Sequence, residues 1–378
     1  TVDFKLTEEQ QMLKETAERL VRDVYDFESR NKFSASEAGF STAFWQQLGE
    51  LGLTAIPFSE ELGGFGGTGV ETMLIMEQLG KGICLEPYME SVVLAGGLIG
   101  QLGSDAQKEE LLGGIATGEL QAAVALDELN SHYDLANVTT TATEQGGSWS
   151  LSGRKGVVIG GQTAGKILVS ARTAGNSRDE QGISLFVVDP NAAGVTRRVY
   201  ATVDGRKACE LFLDNAPGEL LGEAGKAFDA IRYQSGRAIA ALCAEAVGAM
   251  RTACDLTLDY LKTRKQFGVP IGKFQVLQHR MVDMISELER ATSMAILAAS
   301  LADDADSAER SAKLAAAKFI VNRAGRYVAE QCIQLHGGIA MTWEYNGAHY
   351  AKRLVMISHQ FGDDDHHLEA YAAQLGAA

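Results

Sequence analysis

Apolar side chains recur at helical spacing through the first 120 residues. Over residues 7–24 they return every three or four positions, at Met12, Leu13, Ala17, Leu20 and Val21. Thr7 and Gln10 stand three residues apart at the start of this segment, which is the pattern of a helix-capping box. The same spacing predicts helices over 42–52, 70–79 and 94–102, a further helix beginning at Ser104, and a glycine-rich loop at 63–67.

Between residues 121 and 222 the apolar period changes to two. Apolar and polar residues alternate from Trp149 to Gly153, and the pairs Gly146-Gly147, Gly175-Asn176 and Pro190-Asn191 are typical of turns. Because no helical segment separates these strands, the pattern predicts an antiparallel sheet or barrel. Its strands are expected to include 166–171, 183–189 and 209–214.

The last third of the chain returns to helical spacing, in long segments. Helices are expected over 227–263, 274–302 and 307–336, and the final segment, 348–373, is less regular. The complete pattern predicts an α+β fold of three domains. These are an N-terminal helical domain (1–120), a middle antiparallel β domain (121–222) and a C-terminal bundle of about four helices (223–378).

The charge of the chain restricts its partners. The 378 residues suit two or three domains, and their formal net charge is −15. This acidity argues against nucleic acid as a partner, because phosphate backbones bind basic faces. A few clustered arginines or lysines still allow a positive cleft for a phosphate-bearing small molecule.

Cysteines and apolar runs bear on the compartment. The five cysteines are scattered and form no CxxC pair, which predicts buried thiols in a reducing compartment. The first residues carry no basic-then-apolar signal pattern, and no apolar run approaches the roughly 18 residues of a membrane span. We therefore expect a soluble, cytoplasmic protein without a membrane partner.

The segment from Arg264 to Gln275 combines a cation with aromatic side chains. Arg264 offers a planar guanidinium that matches a pyrophosphate, and Phe267 offers an apolar wall for an adenosine or another ring system. The same residues also suit a solvated helix end followed by a turn. The residues alone leave both interpretations open.

Two further segments join backbone freedom to polar groups. Gly337 and Gly338 close a long helix, which suits an ordinary helix stop and also the close approach of a dinucleotide. Glu128 and Asp134 follow a predicted strand. There they suit either the rim of a flavin or an ordinary loop with surface acids.

Signature residues occur in a fixed order along the whole chain. They include Glu61-Leu62-Gly63-Gly64-Phe65-Gly66, Gly118-Glu119-Leu120, Leu151 with Gly153 and Lys155, Arg264 with Gln266-Phe267-Gly268, and Gln334 with His336-Gly337-Gly338. Together they resemble the acyl-CoA dehydrogenase family over essentially its full length. The resemblance implies a helical domain, a β domain and a four-helix bundle. It also implies FAD between the last two domains, extending to a neighbouring subunit.

The resemblance assigns cofactor roles to individual residues. Arg264 would hold the pyrophosphate of FAD, Phe267 would pack near its adenosine, and Gln275 would bond the cofactor. Gln334 and the pair Gly337-Gly338 would line the cofactor from the partner subunit. These assignments follow from the family match.

The match is less complete around the substrate and the flavin ring. Arg237 corresponds to an arginine that contacts the CoA moiety, Tyr133 is assigned to the substrate, and Glu128 is assigned to the cofactor. Val157-Val158-Ile159 replaces a Trp-Ile-Thr strand that meets the flavin ring, and His132-Tyr133-Asp134 replaces Gly-Ser-Asp. Side-chain contacts to the ring are therefore expected to differ from those of the family.

The family's catalytic base is expected to be missing. The reaction removes an α proton beside a thioester, which requires a carboxylate base. With Glu344-Tyr345 fixing the register, Phe361 stands at the family's glutamate position, and a slip of one residue would place Gln360 there. The second family position lies beside Arg237 and is Gly236 here.

An acidic segment follows the lost position. Asp363, Asp364 and Asp365 precede His366 and His367, and Asp364 is the candidate for a replacement base. A solvated acidic loop is the alternative interpretation. No metal is expected, because adjacent residues rarely converge on one ion.

The chain ending and the missing glutamates resemble the small subunit of bacterial heteromeric, pimeloyl-CoA-type acyl-CoA dehydrogenases. In that branch one chain supplies the base and the other completes the FAD site, and pimeloyl-CoA and steroid side-chain substrates are typical. The leading hypothesis is FAD-dependent α,β-dehydrogenation of an acyl-CoA, shared with a second chain and served by an electron-transfer flavoprotein-type acceptor. The alternatives are a homo-oligomeric enzyme with an aspartate base and a non-catalytic FAD- or acyl-CoA-binding subunit.

Overall fold

The computed structural model describes residues 5–375, which form an α+β fold of helices, then strands, then helices. The amino-terminal helices are α1 (Glu8–Val24), α2 (Phe27–Ala35), α3 (Thr42–Glu50), α4 (Gly69–Lys81), α5 (Gly96–Leu102), α6 (Asp105–Gln107) and α7 (Gly113–Ala116). Two 3₁₀ turns, Leu53–Ala55 and Glu60–Leu62, and two π-helical turns, Met89–Ala95 and Lys108–Leu112, lie between them.

The predicted capping box at the start of α1 is confirmed. The Thr7 hydroxyl accepts from the backbone N–H of Gln10 (3.1 Å), and the Gln10 side chain accepts from the backbone N–H of Thr7 (3.0 Å). Ser104 and Gln107 form the same reciprocal pair at α6. These caps satisfy N–H groups that a helix start leaves without intrahelical partners.

The middle of the chain forms a seven-stranded sheet. Its strands are β1 (Ala122–Ala125), β2 (Thr141–Gln145), β3 (Ser148–Ile159), β4 (Lys166–Arg172), β5 (Ile183–Val188), β6 (Val195–Ala201) and β7 (Lys207–Leu221). Pairings run β1-β4-β2-β3-β7-β5, β6 pairs with β7, and β5 returns to β4, so the ring of strands closes. Apolar residues fill its interior, among them Leu151, Ile167, Val169, Phe186 and Leu211.

Three details of the predicted sheet are wrong. It is mixed rather than antiparallel, because β1 pairs in parallel with β4. The segment 126–140 follows β1 and contains no strand. Strand β6 escaped prediction, since Arg197 and Arg198 interrupt its alternation. Strand β7 continues past Asp214, through an irregular register and a proline that pairs opposite Ser150, to Leu221.

The carboxyl-terminal third is helical, as predicted. It contains α8 (Phe228–Thr263), the hairpin strands β8 (Lys265–Gln266) and β9 (Val269–Pro270), α9 (Gln275–Leu301), α10 (Ala308–His336), α11 (Gly347–Ile357) and α12 (Asp364–Leu375). The three long helices lie within one residue of their predicted ends. Ala240, Ala298, Ala302 and Ala317 pack with Leu314 in a buried cluster, which alanine permits because it is small. Within the described residues, no helix is long and apolar enough to cross a membrane.

Internal contacts divide the chain into two compact units. Among the described residues, one comprises 5–31, 68–84 and 239–375, and contains the helices from residue 239 onward; the other comprises 32–67 and 85–238, and contains the sheet. The three-domain division at residues 120 and 222 stays a prediction.

Candidate functional site

A buried ion pair fixes the segment that follows β1. Lys155 in β3 is buried, and its Nζ donates to Glu128 Oε1 (2.8 Å), Ser170 Oγ (3.0 Å) and Leu126 O (3.3 Å). The Glu128 carboxylate also accepts from the backbone N–H groups of Thr139 (2.8 Å) and Thr140 (3.0 Å). Burial opposes ionisation of Glu128, but the Lys155 ammonium and these hydrogen bonds lower its pKa to about 2.

This network gives Glu128 a structural function. Its carboxylate oxygens bind the chain's own donors and tie 126–128 to 139–140. The expected contact of Glu128 with the cofactor stays a prediction.

Backbone strain is concentrated in the same region. His132 (φ 47°), Tyr133 (φ 69°) and Val157 (φ 49°) have left-handed backbone conformations. Val157 lies at a bulge in β3 and its side chain is 52% exposed, while the neighbouring Gly156 N–H donates to Asp127 O (2.8 Å). A β-branched residue with positive φ is a genuine outlier, and such strain is found preferentially at functional sites. Val157 is the residue predicted to replace the tryptophan of the family strand.

The hairpin after α8 projects an aromatic ring from the surface. Phe267 (φ 55°) and Gly268 (φ 80°) form the two-residue turn between β8 and β9, with both residues in the conformation that such turns require. Phe267 is 90% exposed and its ring meets that of Phe274 edge to face, with centroids 6.1 Å apart. Arg264 and Gln275, on either side of the hairpin, are also exposed. The predicted cofactor residues of this segment therefore face outward together with an apolar ring.

The end of α10 offers an open glycine surface. Gly337 (φ 65°) ends the helix, so its conformation explains that glycine. Gly338 has no such conformation, and a Cβ built on it would meet no heavy atom within 4 Å. Neither backbone conformation nor packing within the chain requires glycine at 338. The site therefore leaves room for a group from outside, and Gln334 is exposed one turn earlier.

A buried histidine anchors this helix end. His336 Nδ1 lies 2.7 Å from Cys332 O and must donate to that carbonyl, so Nε2 accepts from the Tyr345 hydroxyl (2.6 Å). Burial lowers the pKa of His336 and raises the pKa of Tyr345 to about 12. Burial therefore favours the neutral forms of the His336 imidazole and the Tyr345 hydroxyl at this end of α10.

Two buried cations, Lys318 and Arg353, donate hydrogen bonds to the loop that carries Phe361. Lys318 in α10 is 0% exposed, and its Nζ donates to Ile357 O (2.9 Å), Gln360 O (2.9 Å) and Gly362 O (3.2 Å). Burial lowers the pKa of Lys318 to about 8. Arg353 forms a two-pronged ion pair with Glu245 (2.6 and 2.8 Å) and donates to the Gln360 side chain (3.0 Å).

The loop presents a phenyl side chain at position 361, which is predicted to correspond to the family glutamate. Phe361 is half-buried and has φ 56°, and Gly362 follows with φ 114°. A Cβ on Gly362 would lie 2.5 Å from His367 Nε2, so only glycine fits there. The two constrained residues and the two cations fix the course of the loop.

The acidic segment is not a solvated loop, so that interpretation is wrong. Asp363 Oδ1 accepts from the backbone N–H of His366 (2.9 Å), and Asp364 begins α12. Asp364 is 16% exposed and pairs with Arg326 of α10 (3.2 Å). This ion pair argues against Asp364 as the base, an assignment that stays a prediction.

Arg237 lies in α8 and lines a cavity in the unit that contains the sheet. Its Nη1 donates to the Gln234 side chain (3.1 Å), and Tyr133 lies elsewhere in the same unit, after β1. The roles of both in acyl-CoA binding stay predictions.

Sequence reasoning missed the buried lysine beneath the loop. Its spacing carried the signal, because Lys318 stands four residues after Leu314 and three before Val321, both of which are buried. A cation on the apolar stripe of a helix needs polar partners inside the protein. The pattern does not say that these partners are carbonyls of a distant loop.

Three family models match consecutive parts of the chain. They describe the N-terminal (residues 7–119), middle (123–216) and C-terminal (228–376) domains of acyl-CoA dehydrogenases. The probable acyl-CoA dehydrogenase YngJ of Bacillus subtilis is 30% identical, covering 91% of this chain and 92% of its own.

Solved structures share the fold over nearly the full length. A variant of the Tcur3481-Tcur3483 steroid ACAD superposes with a TM-score of 0.88 at 29% identity, covering 98% of each chain. The FAD complex of PigA superposes with a TM-score of 0.90 at 25% identity, covering 99% of each chain.

We expect Glu128→Gln to destabilise the protein by about 3 kcal/mol at neutral pH, because it leaves the buried Lys155 ammonium without its hydrogen-bonded carboxylate. Since the folded-state pKa of Glu128 is lowered to about 2, its stabilising effect is complete above its ordinary value of about 4.5. The effect disappears as the pH falls from there towards 2. Urea unfolding of both proteins between pH 3 and 8 measures this difference.

The matched control is Glu223→Gln, which removes an exposed pair with Lys226 and should leave the free energy of unfolding nearly unchanged, because solvent screens the pair. A wild-type-to-variant difference for Glu128 that stays constant down to pH 3 contradicts the assigned ion pair.

Proposed function

The chain belongs to the acyl-CoA dehydrogenase family, and we propose that it works as a flavin-bearing subunit whose catalytic base comes from a second chain. As a member of the family it is an FAD-dependent oxidoreductase that acts on the CH–CH bond of acyl-CoA thioesters. The observation that carries the proposal is the phenyl side chain of Phe361, fixed in a well-defined loop at the position that counting from Glu344-Tyr345 assigns to the family glutamate.

The residues present fit FAD. The open surface at Gly338 would admit a dinucleotide close to the backbone, and Phe267 offers a ring with 90% of its surface exposed. Arg264 would hold the pyrophosphate, because a guanidinium donates in parallel to phosphate oxygens, and Gln275 would bond the cofactor. Gln334, Gly337 and Gly338 would line the cofactor of a neighbouring subunit. When bound, FAD accepts the β hydrogen of the acyl group as hydride.

Removal of the α proton is the step for which this chain lacks a base at position 361. An α C–H beside a thioester is weakly acidic, so a carboxylate must lie within hydrogen-bonding reach of it. Position 361 carries a hydrocarbon ring. Of the nearest acids along the chain, Asp363 accepts from the backbone N–H of His366 at the start of α12, and Asp364 pairs with Arg326. A partner chain would therefore supply the base. An electron-transfer flavoprotein-type acceptor would reoxidise the flavin.

One of the similar structures supports assembly with a second chain. Its name joins two proteins, Tcur3481 and Tcur3483, in one steroid ACAD. By analogy, a bulky or steroid-type acyl group is a reasonable substrate class for this chain, alongside fatty and dicarboxylic acyl groups. The second candidate, a homo-oligomer with Asp364 as base, would require Asp364 to leave Arg326. The third is a subunit that binds FAD or acyl-CoA without turnover.

The proposal is tested with the purified, FAD-loaded chain, medium-chain and dicarboxylic acyl-CoAs, and an artificial electron acceptor. We expect the wild-type flavin to keep its oxidised absorption. Phe361→Glu should reduce the flavin at least about 100-fold faster, because a placed general base contributes about 10²–10⁴-fold. Phe361→Gln is the control, since it adds a polar group of similar length that is not a base.

Each other outcome distinguishes the candidates. Bleaching by the wild-type chain overturns the proposal, and its loss in Asp364→Asn would favour the aspartate base. A colourless protein that gains neither flavin nor activity with a partner chain would exclude both enzyme candidates and favour the non-catalytic subunit.

We expect Gly338→Ala to lower FAD retention at least about tenfold while leaving the thermal midpoint nearly unchanged. A methyl group here meets no atom of the chain and would fill space that the cofactor needs. Gly113→Ala is the control, because its Cβ also meets open space, outside the predicted cofactor segments. The flavin-to-protein absorbance ratio after gel filtration measures the effect. Equal retention in both variants would contradict a cofactor contact at Gly338.

A further inference from the structure

The imidazole of His336 lies between two tyrosine rings, in the compact unit that contains the helices from residue 239 onward. Its ring centroid is 4.6 Å from that of Tyr260 and 4.8 Å from that of Tyr345, with interplanar angles of 38° and 49°. Both ring nitrogens also have hydrogen-bond partners, Cys332 O at 2.7 Å and the Tyr345 hydroxyl at 2.6 Å. His336 is only 3% exposed. Packing and hydrogen bonds therefore fix this imidazole in one orientation.

The first of the two tyrosines lies in the last turn of α8, directly before the β8–β9 hairpin. The carbonyl of Tyr260 accepts from the backbone N–H of Arg264 (2.8 Å). The carbonyl of Arg264 accepts in turn from the backbone N–H of Ile271 (2.9 Å), which closes the hairpin at its base. A displacement of Tyr260 would therefore move Arg264, the residue that is predicted to hold the pyrophosphate of FAD.

The imidazole itself lies at the end of α10, beside the glycine surface. Gly337 follows His336 directly, and its N–H donates to Ile333 O where the helix ends. Gly338 comes next, with open space where a Cβ would stand. Arg264 and the two glycines thus lie within four residues of one set of stacked rings. The two segments that are predicted to bind the cofactor share this set of rings as a support.

The hydroxyl of Tyr345 completes the hydrogen bonding of the imidazole. Because Nδ1 of His336 donates to Cys332 O, Nε2 carries a lone pair and requires a donor, which Tyr345 supplies. A Cβ on Gly347 would lie 3.0 Å from Tyr345 Cε1, so the tyrosine ring is tightly packed and has no room to turn. Without the hydroxyl, Nε2 would be a buried acceptor that has lost its donor, which favours a different orientation of the imidazole.

We propose that Tyr345, acting through His336, positions the glycine surface at 337–338 relative to the Arg264 hairpin, and that this arrangement determines how tightly the chain binds FAD. The inference rests on the proposed function, because it requires both segments to contact the cofactor. Tyr345 and His336 are positioning residues, since neither has to touch FAD. The ring of Tyr260 connects the imidazole to the hairpin.

The test compares two tyrosine hydroxyls that both donate inside the protein. Tyr345→Phe keeps the ring and removes the hydrogen bond to His336. Tyr350→Phe is the matched control, because its hydroxyl donates to the carbonyl of Lys81 in α4 and has no contact with the stacked rings. Flavin-free protein is titrated with FAD, and the change in flavin fluorescence gives the Kd. Thermal unfolding of the same flavin-free proteins measures the stability of each variant.

We expect Tyr345→Phe to raise the Kd for FAD about tenfold, the factor that one internal hydrogen bond contributes. Tyr350→Phe should leave the Kd nearly unchanged, although both variants lower the thermal midpoint by similar amounts. Loss of stability alone does not alter the affinity of the protein that remains folded, so only a positioning role separates the two variants. Tyr260→Leu removes the ring between His336 and the hairpin and should weaken FAD binding by a factor similar to that of Tyr345→Phe.

Three results would overturn the inference while the proposed function stands. The first is a wild-type Kd in Tyr345→Phe, and the second is an equal rise of the Kd in Tyr350→Phe, which would indicate a general effect of losing a hydroxyl. The third is a wild-type Kd in Tyr260→Leu, because the rings would then not connect the two segments. A wild-type chain that binds no FAD would instead overturn the proposed function, and this inference with it.

Discussion

The ammonium group of Lys318 is the interaction on which the loop at Phe361 depends. Helix α11 ends at Ile357, and the loop beyond it leaves carbonyl groups inside the protein without helical partners. Three of them accept from one buried Nζ, at 2.9, 2.9 and 3.2 Å. A buried cation is costly unless its donors are used, and buried carbonyls are costly unless they are satisfied. The Lys318 ammonium supplies the donors that the three carbonyls need, and the carbonyls supply the acceptors that the ammonium needs. These hydrogen bonds hold the loop in one conformation.

The same device fixes the segment after β1. Lys155 is buried and donates to Leu126 O as well as to Glu128 and Ser170. Of the seven non-glycine residues with left-handed φ among residues 5–375, five are His132, Tyr133, Val157, Phe267 and Phe361. All five lie in segments that the sequence singled out for cofactor or substrate chemistry. Strain persists only where the surroundings impose it, and Phe361 lies between Gln360 and Gly362, whose carbonyls both accept from Lys318.

Much of this fold follows from local patterns. The period of apolar residues gave the long helices to within one residue, and the spacing of Thr7 and Gln10 gave the cap of α1. Strand pairing could not be predicted from local patterns. The parallel pairing of β1 with β4 joins residues about 44 positions apart, and no short segment of the sequence indicates it.

The candidate site was predictable only in part. Counting from Glu344-Tyr345 predicts Phe361 at the family's base position, and the structure shows that Phe361 lies in a fixed loop. The support beneath it, Lys318, depends on tertiary neighbours, as does the hydrogen bond of Tyr345 to His336. Asp364 illustrates the difference, because an acidic run suggests a free carboxylate while the fold pairs it with Arg326.

The central claim is that this chain binds flavin and acyl-CoA but supplies no catalytic base for the α proton. Exchange of that proton with solvent measures the base directly, without electron transfer. A saturated acyl-CoA is incubated in D₂O with the FAD-loaded chain, and mass spectrometry follows deuterium at the α carbon. The account predicts no exchange above the protein-free rate for the wild type and clear exchange for Phe361→Glu. Exchange catalysed by the wild-type chain alone would contradict it.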